Sequence, residues 1–231
     1  MPRAWGFLTN HALVLIYVVR HHDCIVRDIA RGIGVTERAT LAILSELDAE
    51  GIVIRRRDGR RNRYAVDFER LAAYRRAGTV ALTPREFVDR LIAALLEIAN
   101  YHGGAESVRG VPADSGALEP VIGRWGFLTN HALVLLAIAL DRTSTVRELA
   151  NAVGLTERAV VVLLNQLEEE GLVVRSKRGR RNAYRIDYEK LRKFPRWSPG
   201  EWKIPAQLVD IATRGLRALA AASAGQAEAA G

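Results

Sequence analysis

Only one cysteine, Cys24, stands in the 231 residues, so no disulfide can form within the chain, and this cysteine usage suits a reducing compartment. Long hydrophobic runs are missing too. The longest, Ala12–Val19 and Ala132–Leu140, fall far short of the ~20 residues a bilayer span requires. Behind Met1–Arg3 the apolar stretch is broken at once by Thr9, Asn10 and His11, which argues against a secretory signal. A soluble cytoplasmic protein with no membrane association is therefore expected. Catalytic signatures are also absent: no glycine-rich phosphate loop, no H-E-x-x-H, and no serine or cysteine in a nucleophile setting. Neither an enzyme nor a cofactor is expected.

Acidic residues are scarce in two particular segments. RRRDGRRNRY at Arg55–Tyr64 holds six arginines up to Arg63 against the single acid Asp58. RSKRGRRNAY at Arg175–Tyr184, followed by Arg185, holds no acid at all. The two segments carry more positive charge than the chain's net +8, so everything outside them is slightly acidic. Charge concentrated in this way predicts a polyanionic partner, most simply nucleic acid.

The two segments belong to a longer internal repeat. Trp5–Leu15, WGFLTNHALVL, recurs letter for letter at Trp125–Leu135, and the match runs without a gap to Asp67 and Asp187 with about half of the positions identical. Within each copy Thr9 (Thr129) reads as the N-cap of a helix reaching Arg20, with Leu8 and Leu13 placed to form a hydrophobic staple. That helix is apolar nearly all round and should be buried on several sides. A short amphipathic segment, Val26–Gly32 (Val146–Ala152), should turn Ile29 and Ala30 inward. After a turn at Gly34 (Gly154), Thr36 (Thr156) caps a further helix that ends at Gly51 (Gly171). Its inward stripe is Ala39, Ile43, Leu44 and Leu47. Two β-prone runs joined through the basic, glycine-containing segment then read as a hairpin.

This element order is that of a winged helix-turn-helix. The repeat resembles bacterial winged helix-turn-helix regulators of the MarR/ArsR type. It is most similar to small actinobacterial-style proteins with W-x-F-L-T-N-H-A, G-[IVL]-T-E-R-A, E-x-G and G-R-R-N-x-Y. Those pieces stand here at Trp5–Ala12, Gly34–Ala39, Glu50-Gly51 (loosely spaced) and Gly59–Tyr64, and again at Trp125–Ala132, Gly154–Ala159, Glu169–Gly171 and Gly179–Tyr184. The resemblance implies a mainly α fold with small β-hairpin wings and two winged helix-turn-helix units, each followed by a C-terminal helix that pairs with its mate. Those helices are expected over Pro84–Tyr101, with Phe87, Leu91, Leu95 and Ile98, and over Pro205–Ala221, with Leu208, Ile211, Leu216 and Leu219. The domains become residues 1–102 and 124–221, joined by a Gly-, Pro- and Ser-rich linker, 103–123, and followed by a frayed tail, 222–231.

Candidate DNA contacts follow. In the wings they are Arg55, Arg57, Arg60, Arg61, Asn62 and Arg63, then Arg175, Lys177, Arg178, Arg180, Arg181 and Asn182, entering a minor groove or clamping phosphates. On the would-be recognition helices they are Thr36, Glu37, Arg38 and Thr40, then Thr156, Glu157 and Arg158, beside the aliphatic Leu41, Val160 and Val161. Related sequences carry polar residues such as Gln-Arg where this chain has Leu41-Ala42 and Val161-Val162, so base reading should rest on the arginines and wings, or one helix has been turned to protein contact. Arg27 and Arg147 are candidates for phosphate contact and, equally, for pairing with nearby acids.

Other features weigh towards structure. His21-His22-Asp23-Cys24 has no equivalent in copy two and reads as a polar loop rather than a metal site; no metal is expected. His11 and His131 should cap or pack. Trp197 and Trp202, among Pro195, Pro199 and Pro205, should pin a loop to the core rather than line a ligand pocket. The functional expectation is a transcriptional regulator, a repressor, that binds double-stranded DNA as an intramolecular pseudo-dimer on an imperfect palindrome. A protein-docking module with weak, non-specific DNA binding is the alternative. A small-molecule effector and further self-association stay open.

Overall fold

The computed structural model describes residues 6–21, 24–58, 61–76, 108–109, 121–123, 126–178, 181–197 and 206–229. The chain opens with α1 (Asn10–Arg20), α2 (Val26–Ile33) and α3 (Glu37–Ala49), then the strands β1 (Val53–Asp58) and β2 (Arg61–Asp67). Short elements follow: α4 (Phe68–Ala73), β3 (Tyr74–Arg76), β4 (Val108–Arg109) and β5 (Val121–Gly123). The first order then returns as α5 (Asn130–Leu140), α6 (Val146–Val153), α7 (Glu157–Glu169), β6 (Val173–Arg178) and β7 (Arg181–Ile186). After α8 (Tyr188–Arg192) and a single 3₁₀ turn at Pro195–Trp197 comes α9 (Ala206–Ala229). The described residues are mostly helical with two small antiparallel hairpins, an architecture compatible with a winged helix.

The caps start these helices as threonine should. The hydroxyls of Thr9, Thr36, Thr129 and Thr156 each accept from the backbone N–H three residues on, at 3.2–3.4 Å. The short helices differ. Thr145 and Glu148 form a reciprocal capping box at α6, whereas at α2 Ile25 has no acceptor to offer and only the Asp28 carboxylate reaches back to the Ile25 N–H, 3.4 Å away. Helices α3 and α7 stop where Gly51 and Gly171 take φ of +72° and +67°, a left-handed turn that costs a side-chain-bearing residue ~1–2 kcal/mol. In both hairpins the strands pair antiparallel so that Arg55 faces Tyr64 and Arg175 faces Tyr184.

The two series fill the contact between their first and second helices differently. Tyr17 of α1 lies over Gly32 of α2, and a Cβ added to Gly32 would overlap the tyrosine ring. The corresponding residues of α5 and α6 are Ala137 and Ala152: a large–small pair in one place, two small residues in the other. Gly32→Ala should therefore destabilise the protein by ~1–3 kcal/mol, the usual cost of overpacking. Adding Tyr17→Ala should recover part of that loss, with thermal denaturation as the readout.

The series meet at their N-terminal ends. Leu8 and Leu128 form an antiparallel bridge; the Thr9 N–H donates to the Phe127 carbonyl (3.0 Å) and the Thr129 N–H to the Phe7 carbonyl (3.1 Å). Each threonine hydroxyl is used twice. Besides accepting in its cap, Thr9 Oγ1 donates to the Gly126 carbonyl and Thr129 Oγ1 to the Gly6 carbonyl. The Phe7 ring lies 4.3 Å from the Trp197 ring. Buried residues of both series, from Phe7 and Leu8 to Phe127 and Leu128, form one continuous apolar cluster.

Some boundaries differ from the sequence reading. Helix α9 runs on to Ala229, past the Ala221 limit; Leu208 and Leu216 are buried, and Ile211 packs against the core. Two pieces of the expected linker are strands: Val108–Arg109 pairs parallel with Val66-Asp67, and Val121–Gly123 pairs parallel with Tyr74–Arg76. The expected helix over Pro84–Tyr101 lies outside the described residues, as do His22, Asp23, Arg60, Arg180 and Trp202.

Candidate nucleic-acid interface

Helices α3 and α7 each bury one stripe and expose another. Ile43, Leu44 and Leu47 are buried in α3, as are Leu164 and Leu167 in α7; Ala39 is only partly so. The exposed stripe is Glu37, Arg38, Leu41, Ala42 and Ser45 on α3, and Glu157, Arg158, Val161, Val162 and Asn165 on α7. These positions follow the i, i+1, i+4, i+5, i+8 spacing of one helix face. Thr36 and Thr156 are exposed at the caps, where their hydroxyls are already held by the helix.

Thr40 is a correction to the sequence reading. It is wholly buried, its hydroxyl donating to the Thr36 carbonyl at 3.1 Å, and Val160 takes the same buried place in α7. The fourth position of a helix returns to the face that packs on the core, so neither side chain is offered outward. What stands out instead is aliphatic: Leu41 and Val162 are each 49% exposed and Val161 38%.

Among the described side chains of the hairpins, positive charge lies on the outside with Arg175 the exception. Arg55, Arg57, Asn62 and Arg63 are exposed on the first hairpin, Lys177 and Arg181 on the second. Arg175 is instead half-buried: its guanidinium donates to the Glu168 carboxylate and to Asn165 Oδ1 (3.1 Å), both on α7. It acts as a strut between hairpin and helix. In the first series Ser45 and Asp48 stand at the positions of Asn165 and Glu168, and the equivalent Arg55 is exposed. Arg178 and Arg181 are opposite backbone positions at the end of the second hairpin, as Asp58 and Arg61 are in the first. Asn182 donates from Nδ2 to the Tyr184 hydroxyl (3.4 Å), so part of its polar capacity is taken up within the wing. Arg27 and Arg147 are both exposed at the start of α2 and α6. Near them Arg181 lies 3.9 Å from Glu148, an exposed pair worth little in water.

Both repeated histidines reach the neighbouring helix. His11 Nε2 lies 2.9 Å from Glu46 on α3, and His131 Nε2 lies 2.7 Å from Gln166 on α7. Burial holds the His131 imidazole below its ordinary pKa, and the Gln166 contact works in the opposite direction. Each histidine therefore ties the first turn of one helix to the later half of α3 or α7. Cys24 is buried, and among the described residues no cluster of three or more His, Cys, Asp or Glu side chains comes together as a metal site. Trp197 is buried, and its Nε1 donates to the Leu191 carbonyl at 2.8 Å, which is the pinning role expected of it.

Two features escaped the sequence reading. Arg175 reads there as one more outward cation, because a strut needs the three-dimensional nearness of Glu168 and Asn165. The second use of the Thr9 and Thr129 hydroxyls was equally hidden, although its signal was present: the letter-for-letter recurrence extends to Trp5, Gly6 and Phe7, before any cap needs it.

Three helices followed by a basic hairpin are compatible with a winged helix. A family model of the MarR family matches residues 125–182, which takes in α5, α6, α7, β6 and the start of β7. That match supports a MarR-like, DNA-binding transcriptional regulator, a kind of protein that in general is not an enzyme. No match was found among curated proteins or solved structures. Among the described residues no helix is long and apolar enough to cross a membrane.

Proposed function

We propose that this protein is a sequence-specific transcriptional regulator, a repressor, that binds double-stranded DNA through two winged helix-turn-helix units fused in one chain. On this reading the units are residues 1–102 and 124–221, products of a tandem duplication, and they sit together as an intramolecular pseudo-dimer. Helices α3 and α7 enter successive major grooves while the wings hold phosphates or a minor groove. The observation that carries the reading is the reciprocal joint at Leu8 and Leu128. It relates the α1–β2 series to the α5–β7 series, and the latter lies largely in the MarR match. Fusion frees the halves to diverge, so the two half-sites should be unequal. Occupying a promoter would be sufficient to repress it; a small-molecule effector would act by changing DNA affinity.

The competing reading is a protein-docking module, and the exposed Leu41, Val161 and Val162 are the observation in its favour. Selection from a random duplex pool separates the two. The regulator reading predicts enrichment of a bipartite motif whose halves are ~34 Å, one helical turn, apart. A pool that stays random after repeated rounds sinks it.

A further inference from the structure

The outward stripe of the two reader helices sets cationic side chains directly beside aliphatic ones. Arg38 precedes Leu41 by three positions, and Arg158 precedes Val161 and Val162 by three and four; on a helix such residues are direct neighbours. Leu41, Val161 and Val162 are among the exposed large apolar side chains of the described chain. Two or three aliphatic groups fall far below the ~800 Å² that each partner gives to a stable protein interface. The exposed wing residues Arg55, Arg57 and Lys177 add positive charge beyond them. Small apolar spots within a cationic surface fit a polyanion that itself presents small apolar spots.

Duplex DNA offers one such spot in the major groove. Thymine shows its C5 methyl group there, beside the O4 acceptor, and no other unmodified base presents a methyl. We propose that Leu41, Val161 and Val162 select thymine by packing against this methyl group. The assignment rests on the DNA-binding reading above. The halves differ in how much of this contact they offer. Helix α7 presents two β-branched side chains, stiff at χ1, where α3 presents Leu41 with only the small Ala42 beside it. The half-site under α7 therefore depends more on thymine than the half-site under α3.

The test uses two random duplex pools, one made with thymidine and one with deoxyuridine in its place. Deoxyuridine keeps the pairing edge and O4 and lacks only the methyl. In the thymidine pool, enriched sequences should hold thymine at one or more positions of each half-site, with more of them in one half. Replacing those thymines singly by deoxyuridine should weaken binding, read by anisotropy, about fourfold per methyl, the size expected for burying one such group; thymines elsewhere in the duplex should be indifferent. Val161→Ala with Val162→Ala, at exposed positions and checked for folding by circular dichroism, should bring the thymidine-to-deoxyuridine ratio close to one in its half-site. Enriched duplexes that bind equally well with deoxyuridine overturn the methyl contact and leave the regulator reading intact. A ratio unchanged in the alanine variant overturns the assignment to these residues. Failure of both pools to enrich any sequence overturns the regulator reading and this inference with it.

Discussion

Duplex DNA should bind ~10²–10³-fold more weakly at near-physiological salt when Arg57, Arg63, Lys177 and Arg181 are all replaced by Ala. All four are exposed on the hairpins, and the proposed function sets them against phosphates. Each phosphate contact releases roughly 0.9 of a counterion, which at ~0.15 M salt makes a contact worth about fivefold in affinity. Four such contacts multiply to several hundredfold. The same variant should flatten the dependence of log K on log salt concentration by about 3 to 4. That second readout separates lost phosphate contact from general damage to the fold. Arg175 is left in place on purpose, because it holds Glu168 and Asn165 of α7 and its loss would shift the hairpin itself. Anisotropy titrations at several salt concentrations decide the matter. An unchanged salt slope would mean that the wings do not touch the phosphates.

Stability should respond most to the joint. Phe7 is fully buried, its ring 4.3 Å from that of Trp197, and its carbonyl accepts from the Thr129 N–H at 3.1 Å. Phe7→Ala should cost ~3–5 kcal/mol, as removal of a buried phenyl ring generally does. For a chain of this length that corresponds to a fall in Tm of about 6–20 °C. Because buried residues of both series share one apolar cluster, calorimetry should show a single transition displaced as a whole. Two transitions, with only one moved, would mean that the two series unfold independently.

Much of this architecture was legible in the residues, because its signals are local. A threonine followed by a periodic apolar run announces a cap, and Thr9, Thr36, Thr129 and Thr156 all cap. Gly51 and Gly171 end their helices at positive φ, and the register of both hairpins follows from alternation on either side of the basic tip. What stayed hidden depends on contacts distant in sequence. The bridge between Leu8 and Leu128 spans about half of the chain, and no periodicity encodes it. The strand pairing of Val108–Arg109 with Val66-Asp67 sits in a segment whose composition reads as linker, because two residues are too few to show a pattern. Thr40 was misplaced for a subtler reason. A polar residue early in a helix suggests an outward face, yet its hydroxyl can be satisfied by the carbonyl one turn back, and then burial costs little.

The joint also sets how the protein responds to its own abundance. Separate subunits must meet before they can act together, so their working form grows with the square of their concentration at low levels and their stability depends on dilution. Here Phe7–Thr9 and Phe127–Thr129 are parts of one polypeptide, and their pairing is indifferent to dilution. On the proposed reading, occupancy of a target would rise in simple proportion to the number of chains, without a step in which two separate copies of the repeat must first meet.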